Sequence, residues 1–149
     1  MSRHLAAVSW ARTTPDYTYD SYDRGHTVTF GSGHAVPASS AAEFKGDATR
    51  VNPEEQLVGA LSSCHMLTFL AIAARKRLVV DSYVDSAEGF LEKNAEGRLS
   101  VTRVVLRPRV TFAPGTEVNA EALAHLHEAA HTNCFIAQSV KTDVTVEPA

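Results

Sequence analysis

The chain has 149 residues, 44% of them hydrophobic, enough for one domain with an apolar core and short for two. Its net charge of -3 comes from 14 basic and 17 acidic residues scattered without blocks, which leaves no footprint for nucleic acid or an anionic membrane surface. No apolar leader or membrane-length apolar run stands out, and two cysteines far apart do not make a secreted disulfide framework, so a single cytoplasmic domain over residues 1–149 is expected.

Residues 5–10 and 27–30 read as short strands, 31–40 as a turn-rich connection and 39–51 as loop. The best-defined element starts at Asn52-Pro53-Glu54-Glu55. Asn is a favoured helix cap, Pro is favoured at the first helical position, acids complement the dipole, and Glu55 stands at the capping-box position. From there Leu57, Ala60, Leu61, Cys64, Leu67, Ala71 and Ala74 recur at three and four residues, predicting one buried stripe that runs to Arg75-Lys76-Arg77. Residues 79–91 and 99–112 predict a long antiparallel hairpin, with "EKNAEGR" supplying turn chemistry. A second helix is expected over 119–131, a continuation or short helix at "CFIAQSV" (134–140), and a closing strand at "TDVTVEP". Strands with two inserted helices and no regular βαβ alternation give an α+β class.

The stretch "LSSCHML" (61–67) places Cys64 on the predicted stripe, and Cys134 stands beside Asn133 and close to His131. A free cysteine is often a small core residue, so core filling is one reading of both. For Cys64 to act as a nucleophile it must be a thiolate, which mid-helix burial opposes, so a cation from elsewhere is required; Arg24 in "YDRGH" and Arg50 are the candidates. A third reading is metal: His127, His131 and Cys134 fall at i, i+4 and i+7, and Cys64-His65 would complete a zinc site if the two helices lie together. Adjacent helical residues point about 100° apart, which disfavours joint ligation by that last pair. No G-x-S-x-G, P-loop or dinucleotide fingerprint is present.

"NPEEQLVGALSSCHMLTFLAIAA" (52–74), the hairpin, and "AAHTNCFIAQSVKTDVTV" (129–146) together resemble the OsmC/Ohr family of thiol-dependent peroxidases. The resemblance covers residue 52 to the end, with a vaguer match upstream. It implies an OsmC-like α+β fold, with curved antiparallel sheets packed on two central helices and two chains intertwined as a homodimer. It implies that Cys64 is the peroxidatic thiol and Cys134 the resolving thiol, with Glu54 holding an arginine, Arg24 by its place before "TVTFGSG", beside them. No cofactor or metal is implied. Ohr-type members prefer organic hydroperoxides and are reduced by lipoylated proteins, so a hydroperoxide substrate and a dithiol reductant are the expected partners, with hydrogen peroxide a second candidate substrate. Family members often carry Pro after the second cysteine, where this chain has Phe135. Met66, Leu67 and Phe69 near Cys64 are read either as the wall of an alkyl pocket or as plain core. The alternatives from other classes are a non-catalytic carrier of a small hydrophobic ligand and a zinc-stabilised structural protein.

Overall fold

A computed structural model describes residues 1–149 as eight strands, two helices and two short 3₁₀ turns, an α+β arrangement. The chain forms two compact units, Met1–Gln56 and Leu57–Ala149, and helix α1 (Pro53–Arg75) begins in the first and continues in the second.

In the first unit, β1 (Ala6–Ser9), β2 (His26–Phe30) and β3 (Ala35–Ala38) form an antiparallel sheet in that order. Strand β3 lies inside the stretch expected to be a connection. The turn is confined to a few residues around Gly33, whose φ of 87° is open to glycine at no steric cost. Pro37 is tolerated because the outer side of β3 carries only an isolated bridge to Val51, in which Pro37 serves as acceptor, its carbonyl taking the Val51 N–H at 3.3 Å. The loop beyond folds back tightly: a Cβ on Gly46 would sit 1.6 Å from the Ser40 carbonyl oxygen. A 3₁₀ turn, Ala42–Phe44, interrupts it.

Helix α1 starts where its residues dictate. The Asn52 side chain accepts the Glu55 N–H at 2.8 Å, and the Glu55 carboxylate accepts the Asn52 N–H at 3.0 Å, a reciprocal capping box. It ends at Arg77, which takes the left-handed conformation (φ 58°) while the Leu78 N–H closes on the Ala73 carbonyl at 2.9 Å. The buried face differs from the expected stripe. Leu61, His65, Phe69 and Ala73 are the residues withdrawn from solvent, whereas Ala60, Ala71 and Ala74 are exposed and Leu67 is 60% exposed. A helix apolar nearly all round has no unique stripe, so the face is chosen by the bulk of Phe69 and by what packs against it. The opposite apolar face lies open in the single chain.

In the second unit the expected hairpin is present but broken in its middle. Strand β4 (Val80–Asp85) pairs with β7 (Pro108–Phe112), and β5 (Glu88–Lys93) with β6 (Leu99–Leu106). The register carries through the break, with Asp85 opposite Pro108 and Glu88 opposite Val105. Pro108 has no N–H for the ladder, which favours a break at that point. A Cβ on Gly89 would stand 2.5 Å from the Val58 side chain, so glycine lets β5 approach α1. Helix α2 (Ala120–Asn133) is capped by Asn119, whose side chain accepts the Ala122 N–H at 2.8 Å. Residues 134–140 form a loop and the 3₁₀ turn Ala137–Ser139, and β8 (Asp143–Val146) runs parallel beside β6. Two apolar clusters hold this unit: Leu61, Val104, Leu106 and Val144, and Phe69, Ala73, Leu126 and Ala130.

Candidate functional site

The second unit brings the two cysteines together. Cys64 is half-buried at the edge of the packed face of α1, and Cys134 is fully buried at the C-terminal end of α2. Both are free thiols. The chain turns sharply after Cys134: its Sγ accepts the Ala137 N–H at 3.4 Å, and its carbonyl accepts the Gln138 N–H at 3.1 Å.

The two thiols differ in acidity. Burial opposes the Cys64 thiolate, but the Ile136 N–H, the Cys134 thiol and the Phe135 N–H favour it, with a smaller contribution from the Thr68 hydroxyl, which donates to the Cys64 carbonyl at 2.8 Å, and together they hold its pKa below the ordinary thiol value. For Cys134, burial raises the pKa, and donating to Cys64 and facing its charge raise it further against the opposing Ala137 and Ile136 N–H groups. The pair is therefore polarised, with Cys64 the more acidic thiol and Cys134 the one that holds its proton more tightly. These backbone donors escaped sequence reasoning, which looked for a cation. Their only sequence signal was Phe135 itself, because a residue other than Pro keeps its N–H. The Phe135 side chain is 81% exposed.

Arg24 and Glu54 belong to the first unit. Arg24 is 8% exposed; its guanidinium donates to the Tyr22 carbonyl at 2.6 Å and to the Tyr19 carbonyl, and lies 3.7 Å from the Tyr22 ring centroid and 5.2 Å from that of Tyr19. It opens on a cavity of about 360 Å³ lined by Trp10, Tyr17, Tyr22, His26 and Pro53 among others. Glu54 keeps one carboxylate oxygen buried and without a partner. The expected bidentate pair between them is not formed within the chain, since the guanidinium is occupied by carbonyls and aromatic faces. Arg50 is the more exposed arginine, 3.7 Å from the Asp47 carboxylate.

One further expectation is corrected, and one alternative reading is not assembled. Phe69 lines no alkyl pocket: it is buried against Tyr83 (centroids 5.5 Å apart) and His127 (4.6 Å), and Leu67 faces outward. The zinc grouping is not assembled either, since no three His, Cys, Asp or Glu side chains are arranged to hold a metal ion. His127 turns to His65, Nδ1 to Nε2 at 3.0 Å, while Cys134 turns to Cys64.

That histidine pair, with Tyr83 and Asp85 nearby, is a buried polar cluster that the sequence did not reveal. Asp85 accepts the Ser62 hydroxyl at 2.5 Å and the Arg107 N–H at 2.6 Å. Burial, helped by the charges of His127 and His131 and opposed by Asp85, lowers the His65 pKa from 6.5 to about 4. Burial likewise lowers His127. The native state thus binds fewer protons than the unfolded chain between pH 6.5 and about 4. The stability contributed by neutral His65 is complete above 6.5 and lost as pH falls through that window, by up to about 3 kcal/mol. Urea unfolding at pH 7, 5.5 and 4 should show this loss, and His65→Gln should shrink it; equal pH dependence in the two proteins would contradict a buried neutral His65.

Against known proteins, residues 46–149 match the family model described as OsmC-like protein. An OsmC-like protein of unknown function from Vibrio cholerae is 45% identical with complete coverage of both chains and a TM-score of 0.95. The organic hydroperoxide resistance protein OhrB of Bacillus subtilis is 17% identical, covering 99% of this chain and 98% of its own, with a TM-score of 0.72, a likeness of fold. The uncharacterised protein YmaD of Bacillus subtilis is 26% identical over 127 residues, 84% of each chain. With its α+β architecture, its family match and a near-superposable relative of the same description, the chain belongs to the OsmC-like family.

Proposed function

We propose that this protein is a thiol-dependent peroxidase that reduces organic hydroperoxides through Cys64 and Cys134. The observation that carries the reading is the polarised thiol pair: a nucleophile needs a thiolate, and a resolving residue needs to be a neighbouring thiol. The Cys64 thiolate attacks the distal peroxide oxygen. The O–O bond breaks, the alkoxide leaves with a proton from the medium as an alcohol, and Cys64 becomes a sulfenic acid. Cys134 then attacks that sulfur, water departs, and a disulfide forms. An external dithiol restores both thiols by exchange, the lipoyl group of a lipoylated protein being the natural one. The hydroperoxide resistance names borne by structural neighbours support the substrate class. A reducing, cytoplasmic setting suits a pair that rests as free thiols.

Arg24 and Glu54 enter this reading through a second copy of the chain. Glu54 and Cys64 are ten residues apart on one continuous helix, about 15 Å along its axis. The open apolar face of α1 and the unpartnered Glu54 oxygen both suit a homodimer in which each chain supplies Arg24 and Glu54 to the other's Cys64. Co-refolding inactive Cys64→Ser with inactive Glu54→Ala should restore about a quarter of wild-type activity, from mixed dimers with one intact site. No recovery in proven mixed dimers would place Glu54 outside the site.

The reading itself is tested by peroxide consumption with a dithiol reductant. Cumene hydroperoxide should be consumed faster than hydrogen peroxide. Consumption of neither, with both thiols still free, would favour the hydrophobic-ligand carrier.

A further inference from the structure

Directly after Cys64, His65 is 1% exposed, and His127 of α2, which it meets at 3.0 Å, is 3% exposed. The rings are nearly parallel, 10° between planes, with centroids 5.3 Å apart and facing nitrogens. One of these nitrogens must carry the hydrogen and the other be bare, so at most one of the two rings can be protonated while the bond is made. The bond is the only one between the side chains of α1 and α2. The rest of the contact is apolar, made by Phe69, Ala73, Leu126 and Ala130.

The hydrophobic driving force is non-directional, and with Ala73 and Ala130 making half of this small apolar contact, side-chain bulk limits sliding and turning of one helix along the other less than a bulky interface would. A hydrogen bond weakens steeply once its angle and length depart from a narrow range. His65 adjoins Cys64 in sequence, and from His127 the stiff helix runs about 9 Å to its last residue, Asn133, directly before the capping Cys134. The register set at the histidines is thereby carried to the thiols.

We propose that the His65–His127 hydrogen bond is a register pin that sets the spacing of Cys64 and Cys134, and hence the equilibrium between their dithiol and disulfide forms. Both histidines are positioning residues, acting through the helices that carry the thiols. The proposal rests on Cys64 and Cys134 being the redox pair. Without the pin, α2 of the reduced protein visits neighbouring registers, and only a fraction of molecules keeps the sulfurs within bonding reach. The oxidised form is held by its covalent bond, so the disulfide loses stability relative to the dithiol by that fraction.

The test is equilibration in glutathione buffers, where protein dithiol plus oxidised glutathione gives protein disulfide plus two reduced glutathiones, two electrons passing to the glutathione. The populations are read by intact mass after acid quenching and alkylation. His127→Phe keeps a ring against Phe69 and deletes the bond; it should lower the equilibrium constant about fivefold, the factor for about 1 kcal/mol of lost hydrogen bonding. His127→Gln, whose amide can renew the bond, should stay within about twofold of wild type. Melting temperatures are taken on the same samples. A lowered melting temperature with an unchanged equilibrium constant would overturn the pin and leave the pair a purely structural contact. Should His127→Phe not fold, His65→Phe removes the same bond from α1 and faces the same two outcomes. Wild type that forms no Cys64–Cys134 disulfide at any glutathione ratio would refute the redox pair, and the pin with it; a wild-type disulfide with unmoved variants would refute the pin alone.

Discussion

Cys64→Ser is expected to lower peroxide consumption by at least about a thousandfold, because a serine hydroxyl is not ionised near neutral pH and is a poor nucleophile toward oxygen. The substitution is nearly isosteric at a half-buried position, so the loss should come with an unchanged fold. The donors around it, the N–H groups of Phe135 and Ile136, remain in place and have only a neutral oxygen to serve. Circular dichroism and thermal melting separate this outcome from unfolding. Full activity in Cys64→Ser would remove the peroxidase reading, since Cys134 is fully buried and its pKa is raised.

Cys134→Ser should act differently. The first oxidation of Cys64 proceeds, but no thiol stands by to condense with the sulfenic acid, and further peroxide carries it to the sulfinic acid. Sustained turnover with a dithiol should fall at least about tenfold, the intermediate being diverted into an irreversible form. Intact-mass spectra would show two added oxygens on the variant. A variant that turns over like wild type would make Cys134 a core residue, and one that peroxide leaves unoxidised would contradict Cys64 as an independent nucleophile.

The elements with strong local chemistry could be read from the sequence. Asn52, Pro53 and Glu55 fix the start of α1 through bonds that need no tertiary partner, and Asn119 does the same for α2. The face of α1 could not be read, because apolar residues surround that helix and its packing partners lie far away in the chain. The hairpin's break at Asp85 and Pro108 escaped for a similar reason, since period-two patterning continues on both sides of it. At the site, the thiols stood out as rare residues in unusual company. Their polarisation did not, because backbone N–H groups carry no letter in the sequence. The His65–His127 pair was hidden by distance: the two lie 62 positions apart, and spacing along α2 alone suggested a metal for His127 and His131.

The most direct measurement is the mass and thiol content of the native protein before and after one equivalent of cumene hydroperoxide. Oxidation by way of a Cys64 sulfenic acid to a Cys64–Cys134 disulfide predicts loss of both titratable thiols, a mass lower by two hydrogens, and a single cross-linked peptide pair containing residues 64 and 134, all reversed by a dithiol. Two thiols still titratable and an unchanged mass after exposure to the peroxide would contradict it.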